Sequence, residues 1–204
     1  MTEEYNPFDE GDSFERELIP EGPHAVRCAR VIEIGKHWSE MYKKEDDKVV
    51  VVFAVPAHTI EINGEQKQRL ISNPFGINKT KGEKATIRQY TRALCPQGGT
   101  GLKDFLNQTA QIWVEHKARE GKSTIDKINS IAPLLPGAFP VPELDIPEVL
   151  LLWNDPDPLM WDMVPKFTQD MVKGAVNYPG SYMEEMVNAY ESEQSTSHEA
   201  DVPF

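Results

Sequence analysis

Few side chains in this sequence are able to do covalent or metal chemistry. Its histidines, His24, His37, His58, His116 and His198, stand at least thirteen residues apart, and its two cysteines are Cys28 and Cys95. Only His24 and Cys28 have a spacing that metal ligands use, and no second pair lies near them to complete a zinc quartet. Adjacent carboxylates such as Asp46 and Asp47 could hold magnesium in a nuclease, but in so polar a stretch they are expected to belong to a solvated loop. There is no glycine-rich phosphate cradle ending in lysine and serine, no His-Glu-x-x-His helix and no serine in a nucleophile elbow. The expectation is a protein that is not an enzyme and uses no metal or cofactor.

Positive charge interleaved with aromatic rings is more abundant. Lys36, Lys43, Lys44 and Lys48 flank Trp38 and Tyr42. Lys79, Lys81, Lys84, Arg88 and Arg92 follow Phe75, and Lys117, Arg119 and Lys122 follow Trp113. Cations track a phosphate backbone, and exposed rings stack on unpaired bases at about 1–3 kcal/mol per base. Trp38 and Tyr42 lie in a charged stretch with no apolar stripe, which makes them the leading stacking candidates. Phe75 sits between Pro74 and Gly76 at a strand break and is expected at the surface. Trp113 faces away from Ile112 and Val114, so it either stacks on a base or packs beneath a C-terminal helix. Tyr90 falls in an apolar stripe and is assigned to the core. The candidate single-strand site is therefore Lys36, Trp38, Tyr42, Lys43, Lys44, Phe75, Lys79, Lys81, Lys84, Arg88, Trp113, Lys117 and Arg119.

Charge is distributed to match. The 204 residues carry 33 acidic and 21 basic side chains, a net of −12, but residues 22–137 hold eighteen basic and twelve acidic groups. Residues 1–21 hold eight acidic and one basic, and residues 138–204 hold thirteen acidic and two basic. A basic centre between acidic ends suits a polyanion in the middle and competition or a second partner at the ends. No apolar run is long enough to span a bilayer. The N-terminus has neither a basic stretch nor an apolar segment of the secretory kind, so the cytoplasm is the expected location.

The elements that position these residues follow from periodicity. Residues 24–34 alternate as a half-buried strand, and residues 35–47 are expected to be a long loop. The valine-rich run 48–55 predicts a strand covered on both faces. Asn63-Gly64 predicts a hairpin between residues 59–62 and 66–72, and Pro74 with Gly76 breaks or bulges the strand before Ile77. Ile87, Tyr90 and Leu94 mark one face of a helix over residues 82–95, closed by Pro96. A helical turn over residues 102–106 comes next, then strands around 110–114 and 123–131 with a turn at Gly121. Five strands with a helix between the third and fourth is the order of an OB-fold, a five-stranded Greek-key barrel, although an open α+β sheet is also permitted.

The remaining residues divide into a Pro-rich wrapping segment with C-terminal helices, 138–190, and tails. Eight of the sixteen prolines fall in residues 133–165, which predicts wrapping more than a second core. Leu159, Met160, Met163, Phe167 and Met171 recur at helical spacing after Asp157-Pro158, and Pro165 should kink or divide that helix. Residues 1–21 and 191–204 are expected to be disordered acidic segments. The last four residues, Asp201, Val202, Pro203 and Phe204, bury nothing locally and are free to enter another protein's pocket.

That terminal Asp-Val-Pro-Phe is similar to the Asp-Ile-Pro-Phe tip of bacterial single-stranded DNA-binding proteins. The valine-rich second strand, the helix ending at Leu94 and the strand end Asn129-Ser130-Ile131-Ala132-Pro133 leading to Pro136-Gly137 resemble bacteriophage OB-fold single-stranded DNA-binding proteins. Residues 159–178, with Val164-Pro165 and Tyr178, resemble the helix after the barrel in that family. The resemblance implies a protein that coats and protects unpaired DNA in replication, recombination and repair, without strong sequence preference, in the host cytoplasm. It further implies recruitment of replication or recombination proteins by the tip, and it leaves self-association on DNA open. The alternative is an acidic DNA mimic that inhibits a host DNA-binding protein; the net charge fits it and the basic centre does not.

Overall fold

The computed structural model describes residues 17–199 apart from 41, 63, 81, 84, 100, 120, 121, 136 and 138–140. Most of the acidic leader and the terminal tip, residues 201–204, therefore lie outside the described residues. The fold is mainly β. Its strands among the described residues are β1 (Gly22–Ser39), β2 (Lys44–Ile62), β3 (Glu65–Ser72), β4 (Ile77–Asn78), β5 (Thr109–Arg119), β6 (Lys122–Pro133) and β7 (Val149–Leu151). Helix α1 (Thr86–Leu94) and a 3₁₀ turn (Leu102–Phe105) separate β4 from β5. After β7 come α2 (Pro158–Trp161), α3 (Lys166–Lys173) and α4 (Tyr182–Glu199). No helix among the described residues is long and apolar enough to cross a membrane.

The strands form one sheet in the order β3-β2-β1-β5-β6, antiparallel throughout, with β4 added to β2 and β7 lying parallel to β1. A closed barrel would need a ladder between β3 and β6, and among the described residues none joins them. Side chains bridge the seam instead. Arg69 on β3 and Asp126 on β6 make an ion pair at 3.4 Å with both groups buried, and Asp126 also accepts from the Ile19 N–H at 3.0 Å. Ile19, which the charge pattern assigns to the leader, is thus a core residue.

Local chemistry explains most of the elements. Ile62 stands opposite Glu65 across a two-residue turn in which Gly64 has φ +82°, as Asn-Gly requires. In α1, Tyr90, Ala93 and Leu94 face inward, and the Tyr90 ring lies 5.8 Å from that of Phe53. The Tyr90 hydroxyl accepts from Asn73 Nδ2 at 2.9 Å, which satisfies a polar atom that burial would otherwise penalise. With Val26, Val31, Val51, Ile112 and Val114 these residues form the core on the α1 side of the sheet.

The largest corrections concern the ribbon and the Pro-rich segment. Residues 35–47 are not a long loop, because β1 and β2 run on as a two-stranded ribbon with Lys36 opposite Asp47, Trp38 opposite Glu45 and Ser39 opposite Lys44. The cross-strand backbone ladder holds it where no apolar face is needed. Asp46 in that ribbon is buried instead of solvated: it pairs with Lys44 Nζ at 2.7 Å and accepts from Asn78 Nδ2 at 3.1 Å.

The second correction concerns the Pro-rich segment, which contributes a true core. The outer face of β1, β2 and β3 presents Ala29, Ile32, Ile34, Val50, Val52 and Leu70. Val149, Leu151, Trp153, Trp161, Val164, Val172, Met183 and Val187 cover it. At the centre, Gly35 has φ +78° at a β-bulge, and a Cβ there would meet the Trp153 ring at 2.5 Å. Only glycine leaves room for the indole against β1. Glu33 accepts from the Trp153 N–H at 2.7 Å through one carboxylate oxygen and pairs with Lys79 through the other. Pro165 does divide the helix in two, as the N-cap of α3, and the Asp157 carboxylate caps α2 by accepting from the Leu159 N–H at 2.9 Å. The buried face is Trp161, Val164, Thr168 and Val172; Leu159 of the predicted stripe is exposed. Residues 191–199, expected in the disordered tail, continue α4.

Candidate nucleic-acid interface

The four rings singled out for stacking are all exposed: Trp38 by 51%, Tyr42 by 63%, Phe75 by 66% and Trp113 by 48%. They fall in separate places. Trp38 and Tyr42 occupy the tip of the β1–β2 ribbon, where Lys44 Nζ lies 5.9 Å from the centre of the Tyr42 ring. Phe75 sits in the β3–β4 connection, its ring 6.4 Å from that of Phe167 on α3 in an edge-on arrangement. Trp113 belongs to the opposite end of β1, where Pro23 is its partner in register. It is not packed beneath a C-terminal helix.

The cations divide by what they touch. At the ribbon tip four lysines meet four carboxylates within residues 36–48, so the tip has no net charge. Lys43 pairs with Glu40 at 2.6 Å and Lys44 with Asp46. The Trp38 Nε1–H donates to Glu40 Oε1 at 2.9 Å, which fixes the indole edge and leaves its face to solvent. Lys79 is committed to Glu33, so it ties β4 to β1 and the second core. Arg119 Nε donates to the Ser123 carbonyl across the β5–β6 turn. Among the described residues Lys36, Arg88 and Lys117 have no ion pair and stand exposed. Lys81 and Lys84, and the tip Asp201, Val202, Pro203 and Phe204, lie outside the described residues.

Two regions of the sheet's outer face differ sharply in access. The outer face of β1–β3 is sealed by the second core, whereas the outer face of β5–β6 carries exposed Trp113, Lys117, Lys127 and Ser130. Register places Trp113 opposite Ser130, Glu115 opposite Lys127 and Lys117 opposite Ile125. Sequence reasoning missed Glu115 and Lys127. The alternation of Trp113, Glu115 and Lys117 on one strand face, carried across a hairpin, was the signal that could have found them.

Beside Trp113 lies an open cleft of 440 Å³ lined by Glu21, Gly22, Trp113, Glu115 and His116. It exists because β1 begins at Gly22, opposite Val114, so β5 loses its neighbour one residue later. Glu21 Oε1 then accepts the orphan His116 N–H at 2.9 Å, and Glu115 Oε1 accepts from Asn129 Nδ2 at 2.6 Å.

The two cysteines are separate from all of this. Cys28 is fully enclosed and burial pushes its thiol far above the usual range, which disfavours the thiolate a nucleophile or ligand needs. His24 Nε2 lies 2.7 Å from the Pro20 carbonyl oxygen. Among the described residues no three histidine, cysteine or carboxylate side chains cluster around a common point. Compared with known proteins, the chain matches no protein-family model, and no similar curated sequence is found.

Proposed function

We propose that the protein is a single-stranded DNA-binding protein built on an OB-type barrel, and that it coats unpaired DNA without strong sequence preference. The observation that carries this reading is the exposure of Trp38, Tyr42, Phe75 and Trp113 on a chain whose exposed Lys36, Arg88 and Lys117 have no ion pair among the described residues. Rings that keep a face to solvent on the same surface as unpaired cations are what stacking on unpaired bases requires. The strand order adds support. Five strands running β3-β2-β1-β5-β6, with α1 inserted before β5 and the two outermost strands drawn together by Arg69 and Asp126, suit a partly open Greek-key barrel. Duplex DNA is disfavoured because its bases are already stacked and cannot reach the rings. Recruitment of replication or recombination proteins by the terminal Asp-Val-Pro-Phe belongs to the same proposal.

The test is fluorescence anisotropy of labelled single-stranded and duplex oligonucleotides titrated with the full chain over a range of salt. Tighter binding to the single strand is expected, weakening with salt by about 0.7 log units per tenfold change for each phosphate neutralised. Equal or tighter binding of duplex, or no dependence on salt, would overturn it.

A further inference from the structure

The cleft beside Trp113 has a chemistry that differs from the rest of the basic centre. Two carboxylates, Glu21 and Glu115, line it, and each has one oxygen engaged in holding the fold. The second oxygen of each remains able to accept. A phosphate is repelled from such a place. A ring that stacks on Trp113 is not, provided the edge it turns to Glu115 carries hydrogen-bond donors. The rim has the opposite sign: Lys127 stands opposite Glu115 in the β5–β6 ladder and Lys117 two residues along the same strand face, neither with an ion pair among the described residues. Phosphates would sit on that rim, and the base between them would turn inward over the indole. The rim also disfavours a cationic guest, which two carboxylates and an indole would otherwise attract.

We infer that the Trp113 cleft is a base-binding subsite that takes a nucleobase carrying an exocyclic amino group and discriminates against thymine. Cytosine presents an N4 amino group, the donor that a glutamate accepts in base readout. Adenine and guanine present amino groups as well. Thymine presents a single N3–H between two carbonyl oxygens, and a carboxylate facing that edge is repelled on both sides. The outer face of β1–β3, the surface on which this type of barrel ordinarily holds oligonucleotides, is sealed here by Trp153, Trp161 and Val172. Bases must therefore be read elsewhere, and the uncovered β5–β6 face has both the ring and the acceptor.

This rests on the single-strand reading and deepens it, and the experiment separates the two. Oligo(dC) and oligo(dT) of equal length are titrated with the full chain, with Glu115→Gln, with Trp113→Ala and with Trp38→Ala, each variant checked for an unchanged melting temperature. Wild type is expected to bind oligo(dC) about fivefold or more tightly than oligo(dT). Glu115→Gln should collapse that ratio, because its amide offers thymine a donor and cytosine a weaker acceptor. Trp113→Ala should weaken oligo(dC) most, whereas Trp38→Ala at the other end of β1 should weaken both and keep the ratio. Single-strand binding with no preference, or a preference that survives Glu115→Gln, overturns the subsite and leaves the single-strand reading standing. No binding to either oligonucleotide overturns both.

Discussion

Replacing Gly35 with alanine measures how firmly the second core is seated on the sheet. At φ +78° a Cβ costs about 1–2 kcal/mol in backbone strain. The same Cβ would lie 2.5 Å from the Trp153 ring and 2.8 Å from the Ala175 Cβ, and neither neighbour is the loose end of a long side chain. Displacing them is overpacking, which costs about 1–3 kcal/mol. The expected loss is about 2–5 kcal/mol, and at about 2–4 °C per kcal/mol for a chain of this size the melting temperature should fall by about 4–20 °C. Gly64→Ala is the matched control, since φ is +82° there and nothing lies within 4 Å of the added methyl. It carries the strain alone, about 1–2 kcal/mol, and the same change in unfolded-chain entropy. Urea unfolding of both variants, followed by tryptophan fluorescence, gives the difference. Equal destabilisation of the two would refute the seating of Trp153 on β1 and, with it, the claim that the C-terminal segment forms part of the core.

Asp126→Asn should cost about 3–5 kcal/mol by leaving Arg69 buried without its counter-charge, and adding Arg69→Met should recover part of it in chemical denaturation, because the new amide oxygen can still accept from the Ile19 N–H. Trp38→Ala and Tyr42→Ala should each weaken single-strand binding by about 1–3 kcal/mol with no change in melting temperature; early melting with normal binding would return the ring to a structural role. Burial holds the His37 and His58 rings below the ordinary histidine value of 6.5, with Lys48 adding to this at His37, and His24 and Arg69 at His58. The unfolded chain therefore takes up protons first, so stability is present above about pH 6.5 and lost as pH falls below it. His58→Gln should flatten that acid limb in thermal melts across pH. Deleting residues 192–204 should strengthen single-strand affinity modestly and most at low salt, because the Glu193, Glu199 and Asp201 carboxylates no longer compete for the basic centre, while Glu191 stays paired with Lys173. Unchanged affinity at low salt would remove the tail from that competition.

Much of the sheet was legible because its strands obey simple rules. Asn63-Gly64 needed only the turn preference, the run 48–55 only its β-branched density, and α1 only the spacing of Ile87, Tyr90 and Leu94. The exposed rings were legible for the opposite reason, since Trp38, Tyr42 and Phe75 interrupt polar or broken stretches that no core could use. The ribbon at residues 35–47 escaped notice because a solvated two-stranded ladder is held by its backbone and leaves no apolar period to read. The second core escaped because Trp153, Val164 and Val172 come from short pieces between prolines, so no window holds enough of one pattern. Ile19 was hidden among carboxylates, and only the tertiary pairing with Asp126 gives it a place. Phosphate-tracking roles could not be read from lysine counts, because Lys43, Lys44 and Lys79 each have a carboxylate partner in the fold.

The position of the second core late in the chain has a consequence during synthesis. The five strands of the β3-β2-β1-β5-β6 path are complete once Pro133 has emerged, yet β7 and the outer cover are complete only with Val187. At about 5–20 residues per second that interval lasts about 3–11 s. Throughout it, Ala29, Ile32, Ile34, Val50, Val52 and Leu70 form a wet apolar surface on the nascent chain, open to holdase chaperones and to neighbouring copies on the same message. A ribosome stalled after residue 137 would release a fragment in which that surface is never covered. The surface is covered only when elongation has passed through the Pro-rich stretch to Val187.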